Sequence, residues 1–209
     1  MVITAMQPRR RSFTALFLDG EWVCNLDTEI LCRTGWQVGQ AITPEELEEA
    51  QQASDMRRAQ EKALYLLEYR SHSKKELEEK IRRTSSREAA AAAADRMEEL
   101  GLVDDEEYAR RYAAQLLGRK KWSASRTVYE LRQKGIDPEL AGELVEELAE
   151  DPEEAIRQIV EKKYARCLDD EKGLRRAVQG LQRLGYRYAD IRRVLREYRD
   201  EIDETEYEE

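Results

Sequence analysis

Residues 123–148 read SASRTVYELRQKGIDPELAGELVEEL, and a shift of fifty positions superposes them on GLRRAVQGLQRLGYRYADIRRVLREY at residues 173–198. Matched positions carry the same or similar side chains: Arg126 and Arg176, Val128 and Val178, Leu131 and Leu181, Gly135 and Gly185. SKKELEEKI at residues 73–81 fits the same frame, with Ser73 on Ser123. Helical units that recur at about fifty residues are typical of stacked modules that bury one another's faces. The pattern therefore predicts three tandem repeats of three helices each.

The predicted helices begin and end at local signals. Ser73 and Ser85 each stand three residues before a glutamate, which is the spacing of a capping box. Asp137 and Asp151 each precede a proline that suits the first turn of a helix. Three glycines precede a hydrophobic residue, as a Schellman stop requires: Gly101, Gly135 and Gly185. Together these signals predict nine helices, near residues 45–70, 74–83, 86–100, 104–118, 124–134, 138–149, 152–166, 170–184 and 188–200.

The first fifty residues have a different pattern. SFTALFLDGEWVCNL at residues 12–26 contains two apolar-rich runs joined by Asp19-Gly20, a dipeptide that suits the positive φ angles of a type I′ hairpin turn. An isolated hairpin is marginal in water, so we expect this one to pack on a neighbour. We accordingly divide the chain into an N-terminal β-hairpin extension and linker at 1–50, helical repeats at 51–103, 104–150 and 151–200, and an acidic tail at 201–209.

Composition excludes several classes of protein. No stretch approaches the ~18 consecutive apolar residues of a membrane span, and the N-terminus MVITAMQPRRRS lacks the apolar region of a secretory signal. Gly (10) and Pro (4) are scarce, which argues against a large β-sandwich with its many turns. Cys24, Cys32 and Cys167 form no CxxC pair, so we expect small, buried, reduced thiols. These features predict a cytoplasmic, all-α protein that does not bind membranes.

The charges are unevenly distributed along the chain. The sequence has 36 Lys and Arg against 45 Asp and Glu, a net charge of −9. The last nine residues, EIDETEYEE, have six acidic and no basic groups, whereas residues 151–200 have 13 basic and 10 acidic groups. We expect a disordered tail that aids solubility. Alternatively, the tail lies on the arginines of residues 175–199 and competes with an anionic ligand.

No pattern of catalytic, metal or cofactor residues is present in the sequence. There is no glycine-rich phosphate loop, G-x-S-x-G or H-E-x-x-H. The single histidine, His72, lies in a turn between helices, where we expect a solvated side chain. The acidic pairs Asp104-Asp105 and Asp169-Asp170 each precede a predicted helix, where carboxylates stabilise the helix dipole. We therefore expect neither metal ligands nor an enzyme.

Two basic runs are candidate binding surfaces. The first surrounds an aromatic ring at a helix junction, a combination suited to phosphate contact and base stacking: Arg119, Lys120, Lys121, Trp122 and Arg126. The second lies within the last two predicted helices and could bind phosphates or acidic groups: Arg175, Arg176, Arg183, Arg192, Arg193 and Arg196. The alternatives are a solvated turn with Trp122 packed inward, and a solvated face whose arginines pair with Asp190, Glu197 and Asp200.

The order and spacing of these segments resemble the RecX family, regulatory proteins that modulate the RecA recombinase. The resemblance is carried by ALYLLEYRSHSKKELEEKI (63–81), LGLVDDEEYARRYA (100–113) and SRTVYELRQKGID (125–137). In addition, FLDGEWVCNLDTEIL (17–31) resembles the hairpin extension of some members. The family often has Gly at or just before the position of Ser123, where this chain has Lys-Trp-Ser, so we expect an altered loop shape there.

The resemblance implies a fold, a partner and an action. The fold is a curved solenoid of three tandem three-helix repeats, and we expect it as a monomer without a cofactor. The partner is the RecA filament on single-stranded DNA, whose ATP hydrolysis and strand exchange such proteins restrain, in DNA recombination, repair and the SOS response. Contact with the DNA itself is expected to be weak or indirect.

Two other functions fit the residues. The first is an independent nucleic-acid-binding protein built from helix-turn-helix-like units, which would bind naked DNA with a steep salt dependence. The mildly acidic body of this protein argues against this function, because DNA is also negatively charged. The second is a helical scaffold for protein interactions, in which the arginine runs would be incidental.

Overall fold

The computed structural model describes residues 1–10, 12–168 and 170–205, with residues 199–205 described by their backbone alone. The strands are β1 (Ile3–Pro8), β2 (Phe13–Leu18) and β3 (Glu21–Asp27). The helices are α1 (Thr28–Thr34), α2 (Pro44–Tyr69), α3 (Lys74–Ile81), α4 (Arg87–Glu99), α5 (Asp105–Ala114), α6 (Ala124–Gln133), α7 (Pro138–Leu148), α8 (Pro152–Lys163), α9 (Glu171–Arg183) and α10 (Tyr188–Thr205). A π-helical turn occupies Gln115–Arg119 and a 3₁₀ turn occupies Ala165–Cys167. The chain forms two compact units, Met1–Asp104 and Asp105–Glu209.

The prediction of a mainly helical fold is confirmed, with three groups of three helices each. Helices α2, α3 and α4 enclose a core that includes Leu77 and Ile81. Helices α5, α6 and α7 pack around Leu131, and α8, α9 and α10 pack around Leu181, the residue fifty positions later. All of these side chains are fully buried. The repeated sequence positions therefore occupy equivalent places in their own cores.

The three glycine stops are confirmed in detail. Gly101, Gly135 and Gly185 have φ angles of +69°, +87° and +95°. In each case the glycine amide and the next amide donate back into the last turn, as in the pairs Gly185 N–H to the Gln182 carbonyl (2.9 Å) and Tyr186 N–H to the Leu181 carbonyl (3.2 Å). This is the Schellman arrangement, and it satisfies carbonyl groups that the helix end would leave without donors.

The N-terminal extension is a three-stranded antiparallel sheet in the order β1-β2-β3, one strand more than the predicted hairpin. The type I′ turn is present, with φ angles of +51° at Asp19 and +91° at Gly20. Strand β1 has little apolar alternation and ends at Pro8, which is tolerated because the strand is at the sheet edge. The segment after β3 folds as α1, capped by the Asp27 carboxylate.

One face of this sheet and helices α1 and α2 share a core, as the marginal stability of a lone hairpin requires. Its largest fully buried members are Ile3, Leu16 and Leu26. The alanine run packs in the same unit: Ala90 and Ala93 of α4 are fully buried against Ala59 and Ala63 of α2. Small side chains on both helices allow this close approach.

The expectations for two cysteines and for the tail need correction. The thiol of Cys32 is exposed on α1, because that helix buries Ile30 and Leu31 instead. Cys24 is half-buried, and burial raises the pKa of its thiol above the ordinary value, partly offset by a hydrogen bond with Gln51. Helix α10 continues to Thr205, so the first five tail residues are helical, and residues 206–209 lie outside the described part of the chain.

The members of the acidic pairs that the structure describes lie at helix starts, as expected. Asp170 is the N-cap of α9, and its carboxylate accepts a hydrogen bond from the Gly173 amide. Helix α5 begins at Asp105, directly after Asp104. Asp169 lies outside the described residues. No group of three or more His, Cys, Asp or Glu residues that could hold a metal ion occurs in the described ranges, and none of the helices there could cross a membrane.

His72 is buried, not solvated, because the turn before α3 folds its imidazole inward. Its Nδ1–H donates to the Arg70 carbonyl at 2.8 Å, and Nε2 accepts from the Lys80 ammonium at 2.7 Å. Burial lowers the pKa of His72 below its ordinary 6.5, and the charges of Arg70 and Lys80 lower it further, opposed by the Arg70 carbonyl and by Glu76. The imidazole is therefore neutral in the folded protein at pH 7.

This burial predicts a loss of stability as the pH falls. In the unfolded chain His72 gains a proton near pH 6.5, whereas in the folded chain it does so only at lower pH, so acid favours unfolding. His72 is the only histidine in the sequence, so its protonation dominates the pH dependence of stability between pH 7 and pH 5.5. We expect the Tm of the protein to fall across this window and the slope to flatten in His72→Gln. Equal slopes in thermal melts of both proteins would contradict the buried neutral imidazole.

Candidate functional site

The first basic run lies where α5 passes into α6, and an irregular backbone presents it. The π-helical turn Gln115–Arg119 closes with a bond from the Lys120 amide to the Gln115 carbonyl, five residues back, at 3.2 Å. Lys121 then adopts a left-handed conformation, with φ of +54°. Backbone of this kind is uncommon in residues other than Gly and often occurs at functional sites.

Contacts from α8 and the end of α9 hold Lys121 in place. Its ammonium donates to the Gln158 side chain at 3.0 Å and lies 4.0 Å from the Glu150 carboxylate. Its carbonyl accepts a hydrogen bond from the Tyr186 hydroxyl at 3.2 Å. Burial raises the pKa of Tyr186 to about 12, with a contribution from Glu150, so the phenol remains a donor. Lys121 therefore has a structural role where α5 passes into α6, and it is not a free cation.

A second contact joins the same loop to the third repeat. Ser123 caps α6 by accepting from the Arg126 amide at 3.2 Å, and its own amide donates to the Leu184 carbonyl at 2.9 Å. Gly185 follows immediately, and a Cβ built on it would lie 2.6 Å from the Ser123 hydroxyl oxygen. The start of α6 therefore fits closely against the end of α9, and we call this contact the junction.

Two cations lie over the indole ring of Trp122. The Lys120 ammonium is 4.8 Å from the ring centroid, and the Arg126 guanidinium carbon is 3.9 Å from it. The ring itself is half-buried, so neither alternative considered for Trp122, stacking surface or core residue, describes it fully. Such contacts keep both cations close to the aromatic ring.

A cavity of about 460 Å³ opens beside the junction. Trp122, Leu117 and Leu148 supply apolar walls, and Ser125, Glu150, Arg187 and Asp190 supply polar groups. Its mixture of both signs of charge does not select an anion by itself. The basic character of this region comes from the residues at its edge.

Arg119 and Lys120 are the two exposed cations of this edge. Neither forms an ion pair with a carboxylate of the described part of the chain. Arg119 ends the π-helical turn and Lys120 follows it directly, so two positive charges are adjacent at this edge. We call Arg119, Lys120, Trp122 and Arg126 the junction surface; it can contact phosphates or carboxylates through its cations.

The arginines of the second basic run have unequal environments. Arg175 pairs with Glu171 at 2.6 Å, and Arg193 pairs with Glu153. Four others are exposed and make no ion pair with a carboxylate in the described ranges: Arg176, Arg183, Arg192 and Arg196. Arg192 and Arg196 are one helical turn apart on α10, so they lie on one face.

Sequence reasoning missed the residues that position this site. Tyr186 was recognised only as the hydrophobic residue of a helix stop, and its hydroxyl role depends on a carbonyl 65 residues earlier. Gln158 and Arg157 were not singled out, although Arg157 pairs with Glu197 at 3.1 Å and thereby joins α8 to α10. No local signal marks such pairs, because their partners are distant in sequence.

Two family models match the second unit of this chain. The model described as RecX, second three-helix domain, matches residues 104–144, and that described as RecX, third three-helix domain, matches residues 149–195. The regulatory protein RecX of Caldanaerobacter subterraneus is 30% identical over 167 residues, which are 78% of this chain and 84% of that protein. RecX of Trichlorobacter lovleyi is 33% identical over 139 residues, 64% of this chain and 90% of that protein.

Solved structures show the same fold. A crystal structure of regulatory protein RecX superposes with a TM-score of 0.61 at 17% identity, covering 92% of this chain and 98% of that chain. The RecX structure from Lactobacillus salivarius superposes with a TM-score of 0.57 at 22% identity, covering 70% of this chain and 97% of that chain. At these identities the likeness is one of architecture.

Proposed function

The chain belongs to the RecX family, and from this we propose that it regulates the RecA recombinase by binding its filament on single-stranded DNA and lowering ATPase and strand-exchange activity. The relatives are named regulatory proteins, which supports a role without catalysis. We further propose a cytoplasmic monomer that contacts DNA weakly or through the filament. The repeats are proposed at residues 51–103, 104–150 and 151–200, and the matches at 104–144 and 149–195 support this division.

The observation that carries the proposal is a pair of exposed cations at the junction, Arg119 and Lys120, which form no ion pair with a carboxylate in the part of the chain that the structure describes. The residues around them are fixed by contacts from α8 and α9, so binding would cost little ordering entropy at this edge. A filament on DNA presents phosphates and acidic side chains, and both accept hydrogen bonds from cations. We propose that Arg192 and Arg196, with Arg176 and Arg183, extend the same contact.

We propose that the protein regulates the filament by occupying a site on it, without catalysing a reaction. A helical protein that binds between filament subunits changes the free energy of their contacts, and each subunit's ATPase depends on those contacts. The other two functions make different predictions. An independent nucleic-acid-binding protein would bind naked DNA tightly and without recombinase, with an affinity that falls steeply with salt. A scaffold would bind proteins but leave recombinase kinetics unchanged.

Inhibition at substoichiometric ratios is the expected result of titrating this protein into RecA with single-stranded DNA and ATP. A filament is a cooperative array, so a few bound molecules can interrupt many subunits. We expect the ATP hydrolysis rate to fall by half when the protein is present at less than one molecule per recombinase subunit. Strand exchange should fall in parallel. An unchanged hydrolysis rate at equimolar protein would exclude this function for that recombinase.

A further inference from the structure

The face of the N-terminal sheet opposite the core that includes Ile3, Leu16 and Leu26 has an aromatic and basic surface. A recess of about 520 Å³ lies on it, lined by Arg9, Arg10, Phe13, Trp22 and Asn25. Trp22 is 57% exposed although it is a large apolar side chain. An exposed indole that does not pack in the core indicates a binding surface more strongly than an exposed polar residue does.

Two neighbouring arginines of α2 have different environments. Arg57 of α2 pairs with Asp27, Glu29 and Glu61. Its neighbour Arg58 instead lies over the Phe13 ring, with the guanidinium carbon 4.5 Å from the centroid.

Arg9 and Arg10 are exposed, and neither they nor Arg58 make an ion pair with a carboxylate within residues 1–10, 12–168 and 170–205. Three guanidinium groups therefore remain available for an anion.

The backbone fixes the position of this surface. Arg9 and Arg10 follow β1, and the Arg9 amide donates to the Phe13 carbonyl at 2.6 Å. The Ser12 carbonyl accepts from the Thr28 amide at 2.8 Å, which ties the loop to α1. Trp22 pairs in register with Phe17, whose strand packs its other face into the core. Phe13, Trp22 and Asn25 are thus held on the sheet, and Arg9 and Arg10 lie in the segment that follows β1.

We propose that this face, defined by Arg9, Arg10, Phe13, Trp22, Asn25 and Arg58, is a binding site for single-stranded nucleic acid, separate from the junction surface in the other unit. Aromatic rings on a sheet stack unpaired bases, and arginines at its edge bind the phosphates between them. The Asn25 amide can donate to and accept from a base edge. A duplex hides its base faces, so the site prefers single strands. Because this site binds the nucleic-acid strand itself, it adds a second partner to the recombinase of the proposed function.

Binding of naked oligonucleotide tests the proposal without any recombinase, so its failure is distinguishable from failure of the proposed regulatory function. Fluorescence anisotropy would measure the Kd of the full chain for labelled dT20 and for a 20-base-pair duplex at low salt. We expect Trp22→Ala to weaken dT20 binding about tenfold, since stacking contributes strongly for each base. Trp22→Phe should restore most of the affinity.

A charge variant provides the second arm. In Arg9→Glu/Arg10→Glu we expect the slope of log Kd against log salt for dT20 to fall by about 1.4, roughly 0.7 for each lost phosphate contact. The matched control is Arg82→Glu/Arg83→Glu, which changes two exposed arginines of the same unit by the same charge. Both variants change only exposed side chains, and circular dichroism and Tm would confirm folding.

Three outcomes would overturn the site. Affinity for dT20 unchanged in both Trp22→Ala and Arg9→Glu/Arg10→Glu would do so. A loss no larger than that of the Arg82→Glu/Arg83→Glu control would show a general charge effect. Unchanged oligonucleotide affinity combined with weaker recombinase inhibition would show that this face binds a protein instead.

Discussion

Replacing Arg119 and Lys120 with glutamate is expected to abolish most of the inhibition of the recombinase filament, raising the concentration for half-inhibition by about 30-fold or more. The substitution changes the charge of the junction surface by four, so attraction to phosphates or carboxylates becomes repulsion. Both side chains are exposed, so the fold should be retained. ATPase assays at several salt concentrations would measure the effect, which should shrink as salt screens it.

The control variants show whether the position of the reversed charges or the net charge of the protein causes the loss of inhibition. Arg82→Glu/Arg83→Glu makes the same charge change in the first unit and should leave inhibition near the parent level. Arg192→Glu/Arg196→Glu tests whether α10 extends the contact. Trp122→Ala distinguishes a binding role, in which activity falls and Tm does not, from a packing role, in which both fall. Normal inhibition by both Arg119→Glu/Lys120→Glu and Arg192→Glu/Arg196→Glu would place the filament contact on another surface.

Gly185→Val is expected to lower the free energy of unfolding by about 4 kcal/mol. Three costs combine: a side chain at φ +95°, a Cβ 2.6 Å from the Ser123 hydroxyl oxygen and 2.7 Å from the Arg126 Cβ, and disturbance of the Ser123 cap of α6. For a chain of this length the Tm should fall by roughly 10 °C. Alanine should cost less than valine, because a β-branched side chain fits the left-handed region worst. The same order is expected at Gly135, with φ +87°.

Gly101→Val is the matched control, because Gly101 also ends a helix with positive φ, at +69°, but a Cβ there meets nothing within 4 Å. It should cost only the backbone strain, about 1–2 kcal/mol. Thermal and urea melts followed by circular dichroism would compare the two. If the two valine variants melted alike, close packing at the junction would be refuted, and tolerance of valine at both Gly135 and Gly185 would refute the stops themselves.

The features predicted correctly from the sequence are those whose signals are local. A cap, a first-turn proline or a Schellman glycine lies within a few residues of the helix end that it determines, so Ser73, Asp137 and Gly185 were informative by themselves. Strand β1 was missed because its order comes from pairing with β2, not from its own pattern. His72 was misjudged because its partner, Lys80, lies on the next helix.

The candidate site was predicted less completely for the same physical reason. The sequence shows which residues are cationic but not which remain unpaired. Arg193 is neutralised by Glu153, forty residues earlier, whereas Arg192 beside it is not. The left-handed conformation of Lys121 depends on Gln158 and Tyr186, which no local pattern connects to it.

The junction also affects how the second unit can come apart. In repeat proteins, stability is a sum of intrinsic terms for each module and coupling terms between neighbours. Here the coupling includes the Ser123 amide bound to the Leu184 carbonyl, at the residue that starts α6. A fragment ending at Glu150 would lose that acceptor, the Tyr186 hydroxyl and the Gln158 partner of Lys121 together. We therefore expect that the sequence boundary between the second and third repeats does not separate independently folding pieces, and that these two repeats unfold together.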